Sequence, residues 1–129
     1  MQNPPIRVIA AVVRSGDRFL ICQRPSHKRH GGLWEFPGGK CEAGETDAQA
    51  ITRELAEELG VEVTAVGGAL FSASDPDSPF VIAFLPVDIM GEPVCLEHAA
   101  LAWASRHEMP AYELAPSDAR FVNFLGRDG

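Results

Sequence analysis

Residues 38–61, GGKCEAGETDAQAITRELAEELGV, decide how the rest of the chain is read. Thr46 is a good helix cap, and Gln49 three positions on completes a capping box. Gly60 stands where a left-handed residue closes a helix, so a helix is expected over 46–59. At about 100° per residue, Ala48, Ile51, Leu55 and Leu59 fall on one apolar stripe suited to packing on a sheet. Glu54, Glu57 and Glu58 fall on a second stripe roughly perpendicular to it. Upstream, Pro37-Gly38-Gly39 is a strong breaker of regular structure. Without a Cβ, its glycines let the backbone approach an anion or offer a carbonyl to a metal.

Outward from this stretch the sequence reads as strands. Residues 6–13 are rich in Val and Ile and suit a buried strand. Ser15-Gly16-Asp17 supplies turn chemistry, and residues 19–23 form a returning strand, so a hairpin is expected. A polar loop over 25–33 leads to a short strand at Trp34-Glu35-Phe36. Beyond the helix, further strands are expected at 61–66, 68–72, 80–88 and 99–104, separated by turn-rich residues 74–78 and 91–93. Residues 109–114 read as helical or irregular. Residues 117–125 read as a short final helix, with Phe121, Val122 and Leu125 as its core face. Strands surrounding one strong central helix give an α/β or α+β class with a mixed sheet. With 129 residues, 46% hydrophobic and no repeat or linker, residues 1–129 form a single domain with one core.

Charge narrows the function. The net charge of −7 argues against binding a long nucleic acid through a basic face. The charge is unevenly placed, however. Arg24, Lys28, Arg29 and Lys40 face only Glu35 in the loop before the helix, whereas residues 42–62 carry seven acids against one base, Arg53. A basic loop running into an acidic helix suits a phosphate grip beside a cation site. No apolar run is long enough to span a membrane, and residues 1–5 lack a secretory pattern. Cys22, Cys41 and Cys95 form an odd set without CxxC spacing and read as small buried hydrophobes. A reducing cytoplasm fits them.

The three glutamates are unfavourable for the helix alone. Glu54 and Glu58 repel at i,i+4, by a few tenths of a kcal/mol, and Glu57 and Glu58 lie near the end where the macrodipole prefers cations. Such a run is commonly a solvated face. The preceding glycine-rich loop and the i, i+3, i+4 spacing favour a shared ligand instead. These carboxylates suit a hard divalent cation of the Mg²⁺ type, which takes oxygen ligands and bridges to phosphate. Lys40 and Arg24 suit phosphate charge, and Arg53 suits orienting a carboxylate.

Gly39-x5-Glu45-x7-Arg53-Glu54-Leu55-x-Glu57-Glu58-x-Gly60-Val61 matches every fixed position of the Nudix box, so the chain resembles that hydrolase family. The resemblance implies an α/β/α sandwich with a mixed sheet, and Mg²⁺- or Mn²⁺-dependent hydrolysis of a nucleoside diphosphate linked to another group. Gly32–Lys40, Glu97-His98 with Leu101-Ala102-Trp103, and Leu114–Asp118 are similar to the MutT-like branch of 8-oxo-dGTP diphosphatases and CTP pyrophosphohydrolases. Carried over by position, the Gly38 carbonyl, Glu54, Glu57, Glu58 and Glu97 bind metal. Glu54, Glu57 and Glu97 are the catalytic set, with Glu54 the usual general base and Glu97 helping to activate water. Glu45 and Arg53 are structural. Arg24, Glu35, Phe36, Pro37, Gly38, Lys40 and Asp118 line the nucleotide pocket. Asp118 stands where some relatives carry asparagine. An ionised carboxylate accepts hydrogen bonds and does not donate, which suits the exocyclic amine of cytosine and also a guanine edge.

The expected reaction cleaves a (deoxy)nucleoside triphosphate to monophosphate and pyrophosphate, sanitising modified nucleotides. The partner is a small nucleotide, with no nucleic acid polymer and no membrane, and the chain acts as a monomer or homodimer. Alternatives are hydrolysis of ADP-ribose or a dinucleoside polyphosphate, and a catalytically silent nucleotide sensor. His27 and His30 read as surface, and His98 and His107 lack zinc spacing. Trp34, Phe80 and Trp103 read first as packing residues.

Overall fold

The computed structural model describes residues 4–74 and 77–127, the side chain of Arg127 excepted. Part of the reading of residues 1–5, and of the loop over 74–78, therefore lies outside the described residues. The strands are β1 (Ile6–Val12), β2 (Arg14–Ser15), β3 (Arg18–Gln23), β4 (Trp34–Glu35) and β5 (Gly38–Lys40), followed by helix α1 (Asp47–Leu59). Then come β6 (Glu62–Val66), β7 (Phe71–Ser74), β8 (Phe80–Met90), β9 (Ala100–Ser105), a 3₁₀ turn at Met109–Ala111 and helix α2 (Pro116–Arg127).

Two sheets result. In the first, β1 runs parallel to β8, from Ile6 opposite Phe80 to Val12 opposite Pro86. A parallel pair needs a long crossover, and α1 lies within it. β5 covers the other edge of β1 in antiparallel register. β8 is long enough to take β7 and then β6 along its outer edge, both antiparallel. In the second sheet β3 pairs along its whole length with β9, while β2 and β4 share its other side.

Side-chain alternation along the central strands builds two cores, as a period of two requires. Ile9, Ala11 and Val13, with Leu20, Cys22, Ala83, Leu85 and Val87, face Ile51, Leu55 and Leu59 of α1. Ala10, Val12, Phe19, Ile21 and Phe84 face the other way, toward Phe121 of α2. Phe121 stacks on Phe84 with ring centroids 4.5 Å apart, and Val122 and Leu125 pack at the edge of that core. These sheets, the first mixed and the second antiparallel, lie between α1 and α2 and give the α/β/α arrangement expected from the sequence. No helix among the described residues is long and apolar enough to cross a membrane.

Three expectations about local structure are corrected. The hairpin is narrower than the 6–13/19–23 pairing: Arg14-Ser15 pairs with Arg18-Phe19 around Gly16-Asp17, and β1, apolar on both faces, enters the first sheet instead. β4 stops at Glu35, before Pro37, as expected, but Gly38 and Gly39, read as part of the same breaker, belong to β5 in the first sheet. A Cβ at Gly38 would stand 2.0 Å from the Ile9 carbonyl oxygen, so the glycine serves close strand approach. In α1, Ala48 is exposed and Ala50 is buried. The helix packs on β5 as well as on β1 and β6, which draws its first turn toward the glutamate side.

Candidate active site

The capping box forms as its sequence requires: Gln49 N–H donates to Thr46 Oγ1 at 3.1 Å and Thr46 N–H donates to Gln49 Oε1 at 2.9 Å. Gly60 closes α1 in the left-handed region at φ 67°. Helix register is thereby fixed at both ends, and with it the three glutamates. They do not share one environment: Glu57 is exposed, Glu54 half-buried and Glu58 buried at 3% exposure. The stripe that helix periodicity gives them is therefore buried unevenly. Glu58 lies 60° from Leu55 on the helix wheel, close enough to be carried under the same packing.

Arg53 gathers the acids. Its Nε and Nη2 donate to the two oxygens of Glu45 at 2.8 and 2.9 Å, and its Nη1 donates to Glu54 Oε1 at 2.9 Å. Glu57 Oε2 lies 3.6 Å from the same guanidinium. This fork pulls the Glu45 carboxyl down to about 2. Nη2 also donates to the Lys40 carbonyl at 3.1 Å, tying helix to loop. Gly39 makes room for the arrangement, since a Cβ there would stand 2.5 Å from the Glu54 carboxyl carbon.

Behind α1, the segment after β8 supplies a histidine that sequence reasoning considered only as a zinc ligand. Val94 and Leu96 donate backbone N–H groups to the Leu59 and Glu58 carbonyls, both at 3.0 Å. Two residues on, His98 Nε2 sits 3.1 Å from Glu35 Oε2 and 3.6 Å from Glu58 Oε1. Arg24 Nη1 donates to Glu35 Oε1 at 3.0 Å, and its Nε donates to the Arg29 carbonyl at 2.7 Å. Arg24, Glu35, His98 and Glu58 thus form one alternating base–acid chain reaching the helix. Burial holds the Glu58 carboxyl well above the usual carboxylate range, helped by its hydrogen bond with Glu54 and the charges of Glu54 and Glu35; the Gly38 N–H opposes the shift. Glu97 is exposed, one residue before His98. The only signal in the sequence for His98 was its adjacency to Glu97.

The loop and α2 are joined by Asp118. Its Oδ1 accepts the Phe36 N–H at 2.9 Å, beside backbone bonds from Trp34 N–H to the Glu113 carbonyl and from Ala115 N–H to the Trp34 carbonyl. Burial pushes the Asp118 carboxyl up to about 7; the Phe36 N–H opposes the shift, and the Glu35 charge adds to it. Phe36 and Pro37 are buried, and the Phe36 ring lies edge-on to Phe84 and Phe121 in the core. Its ring is thus committed to the core, and its contribution to any pocket falls to the backbone. Lys40 is exposed, with Nζ 5.2 Å from the centre of the Phe80 ring.

Glu54, Glu58, Glu35, Arg24, His98 and the Gly38-Gly39 backbone are therefore brought together, with Glu57 on the exposed rim. The donor set is oxygen-only on α1, which suits a hard divalent cation. Glu58 Oε1 is buried without a hydrogen-bond partner among the described residues, a position that suits a cation from outside the chain. In this conformation, no three His, Cys, Asp or Glu side chains among the described residues converge as a preformed metal cluster, because Arg53 draws Glu54 and Glu57 to itself. A cleft of about 360 Å³ lies elsewhere, lined by Arg14, Asp88, Glu92 and Trp103 among others, and includes none of these groups.

Comparison with known proteins identifies the family. A NUDIX domain family model matches residues 3–125. The CTP pyrophosphohydrolase of Escherichia coli K12 is 42% identical over 116 residues, covering 88% of this chain and 85% of that protein. An 8-oxo-dGTP diphosphatase of Haemophilus influenzae is 31% identical over 130 residues, covering 97% and 94%. Among solved structures, one from a study of MutT of Aliivibrio salmonicida and Vibrio cholerae superposes with a TM-score of 0.83 at 30% identity, covering 97% of this chain and 99% of that one.

Proposed function

Because this chain belongs to the Nudix hydrolase family, we propose that it cleaves (deoxy)nucleoside triphosphates to monophosphate and pyrophosphate. The observation that carries this reading is the buried, unpartnered oxygen of Glu58 beside Glu54 and the glycine strand, in a chain whose relatives bear the names CTP pyrophosphohydrolase and 8-oxo-dGTP diphosphatase. Residues 1–129 act as one domain, in the cytoplasm, on a free nucleotide.

The cation is Mg²⁺, with Mn²⁺ able to replace it. Glu54, Glu57, Glu58 and the Gly38 carbonyl would hold it, with Glu97, exposed beside His98, as a further ligand. When bound, such an ion neutralises phosphate charge and acidifies water. The protein groups do the rest. Arg24 and Lys40 hold phosphate oxygens by charge. Glu54, half-buried against Gly39, accepts the proton of the attacking water. Arg53 restrains Glu54 through its Nη1 and keeps Glu45 as a fixed anchor, so the acids remain ordered between turnovers. Asp118, with one oxygen occupied by Phe36 N–H, offers the second to the base, and the backbone at Glu35–Gly38 lines the nucleotide.

The test is a panel of dCTP, 5-methyl-dCTP, 8-oxo-dGTP and ADP-ribose with Mg²⁺, scoring pyrophosphate and phosphate separately. Triphosphates yielding monophosphate and pyrophosphate are expected. Glu57→Gln should lower kcat by about a hundredfold or more, as loss of a charge-stabilising group does. Turnover of ADP-ribose alone, or undiminished turnover by Glu57→Gln at saturating Mg²⁺, contradicts the reading.

A further inference from the structure

His98 is fixed before any ligand arrives. Its segment is pinned to the last turn of α1 by the Val94 and Leu96 N–H groups, and its side chain is 7% exposed. One imidazole nitrogen stands between two carboxylates, 3.1 Å from Glu35 and 3.6 Å from Glu58. Glu35 is held on its far side by Arg24, so the imidazole rests on an anchored support. The 3.6 Å separation is too long for a hydrogen bond, which leaves Glu58 Oε1 unpartnered while the ring limits where that carboxylate swings. Remove the imidazole and Glu35 and Glu58 face one another across an unfilled gap as two acids with no donor between them.

We infer that His98 is a positioning residue that, braced by Glu35 and Arg24, holds the Glu58 carboxylate toward the cation-binding face of α1. The inference rests on the cation reading given above. It assigns His98 no contact with substrate; it acts through Glu58. Partners of this kind, one step removed from a metal, typically alter affinity 10–100-fold when changed.

The test is Mn²⁺ binding to the nucleotide-free protein, read by electron paramagnetic resonance. His98→Asn keeps an amide donor but falls short of the Nε2 position, whereas His98→Gln extends further toward it. His98→Asn should weaken Mn²⁺ binding about tenfold or more, and His98→Gln should stay within about threefold of the parent. Glu35→Gln, which removes the anchored charge without touching α1, should weaken it several-fold and serves if His98→Asn does not fold. Unchanged binding in His98→Asn and Glu35→Gln overturns the inference. Equal losses in His98→Asn and His98→Gln overturn it too, since packing alone would then explain them. Glu58→Gln run alongside separates the two levels. If it too binds Mn²⁺ normally, the cation reading fails; if it alone is weakened, only the role of His98 fails.

Discussion

Gly38 and Gly39 adjoin, yet they are glycines for different reasons, and substitution should separate them. A Cβ at Gly38 meets the backbone of β1, with Ile9 O at 2.0 Å, and neither strand can yield without losing register. Gly38→Ala should therefore destabilise by about 3 kcal/mol or more, read by urea unfolding. The nearest atoms to a Cβ at Gly39 are those of the carboxyl group of the Glu54 side chain, which can rotate away. Gly39→Ala should leave the melting temperature within a few degrees while lowering kcat at least tenfold, since misplacing a catalytic group by about 1 Å costs that much or more. Asp118 gives a second test at this scale. Its folded pKa, about 7, lies above the ordinary aspartate value of 3.8. Its neutral form is favoured in the fold, so this contribution is complete below about 3.8 and is lost as pH rises through about 7. Asp118→Asn cannot titrate. Between pH 5 and 8 the wild type should lose roughly 2–3 kcal/mol relative to it in urea unfolding. A constant difference across that range would show Asp118 ionised throughout, despite Glu35 beside it.

The central element, α1, was the most legible part of the chain because its signals are local. Thr46, Gln49 and Gly60 act within a few residues of themselves, and all three appear in the structure as their chemistry requires. Thr46→Ala should cost about 1 kcal/mol, seen as a drop of a few degrees in melting temperature. What the helix packs against was less legible. Burial of Ala50 in place of Ala48 follows from contact with β5, a strand disguised by Pro37 and two glycines that read as a breaker. The same limit hid the burial of Glu58 and the placement of His98 beside it. Periodicity places Glu58 beside its fellow acids, whereas its burial depends on residues 94–98 docking onto the end of α1. No pattern within the helix reports that docking. Phe36 is a parallel case. Its neighbourhood resembles a pocket, but its ring turns into the core toward Phe84 and Phe121.

Over the whole molecule, two cores hold the two halves of the proposed site. The α1 core sets the glutamates, while the aromatic core around Phe84 and Phe121 sets α2 and, through Asp118, the loop at Phe36. Phe121→Ala should cost about 3–5 kcal/mol. It should also raise KM more than it lowers kcat, because the side it loosens carries Asp118 rather than the glutamates. The α1 side keeps several carboxyls close together with Arg53 as their main counter-charge. A divalent cation that binds only the folded state stabilises it by mass action. The melting temperature should therefore rise with Mg²⁺ concentration and saturate, and Glu58→Gln should flatten the rise.

The position of the divalent ion is the decisive observable. Crystals soaked in Mn²⁺ and measured at its absorption edge should give an anomalous peak among Glu54, Glu57, Glu58 and the Gly38 carbonyl. A peak elsewhere with this site empty, or none at saturating Mn²⁺, would contradict the cation reading.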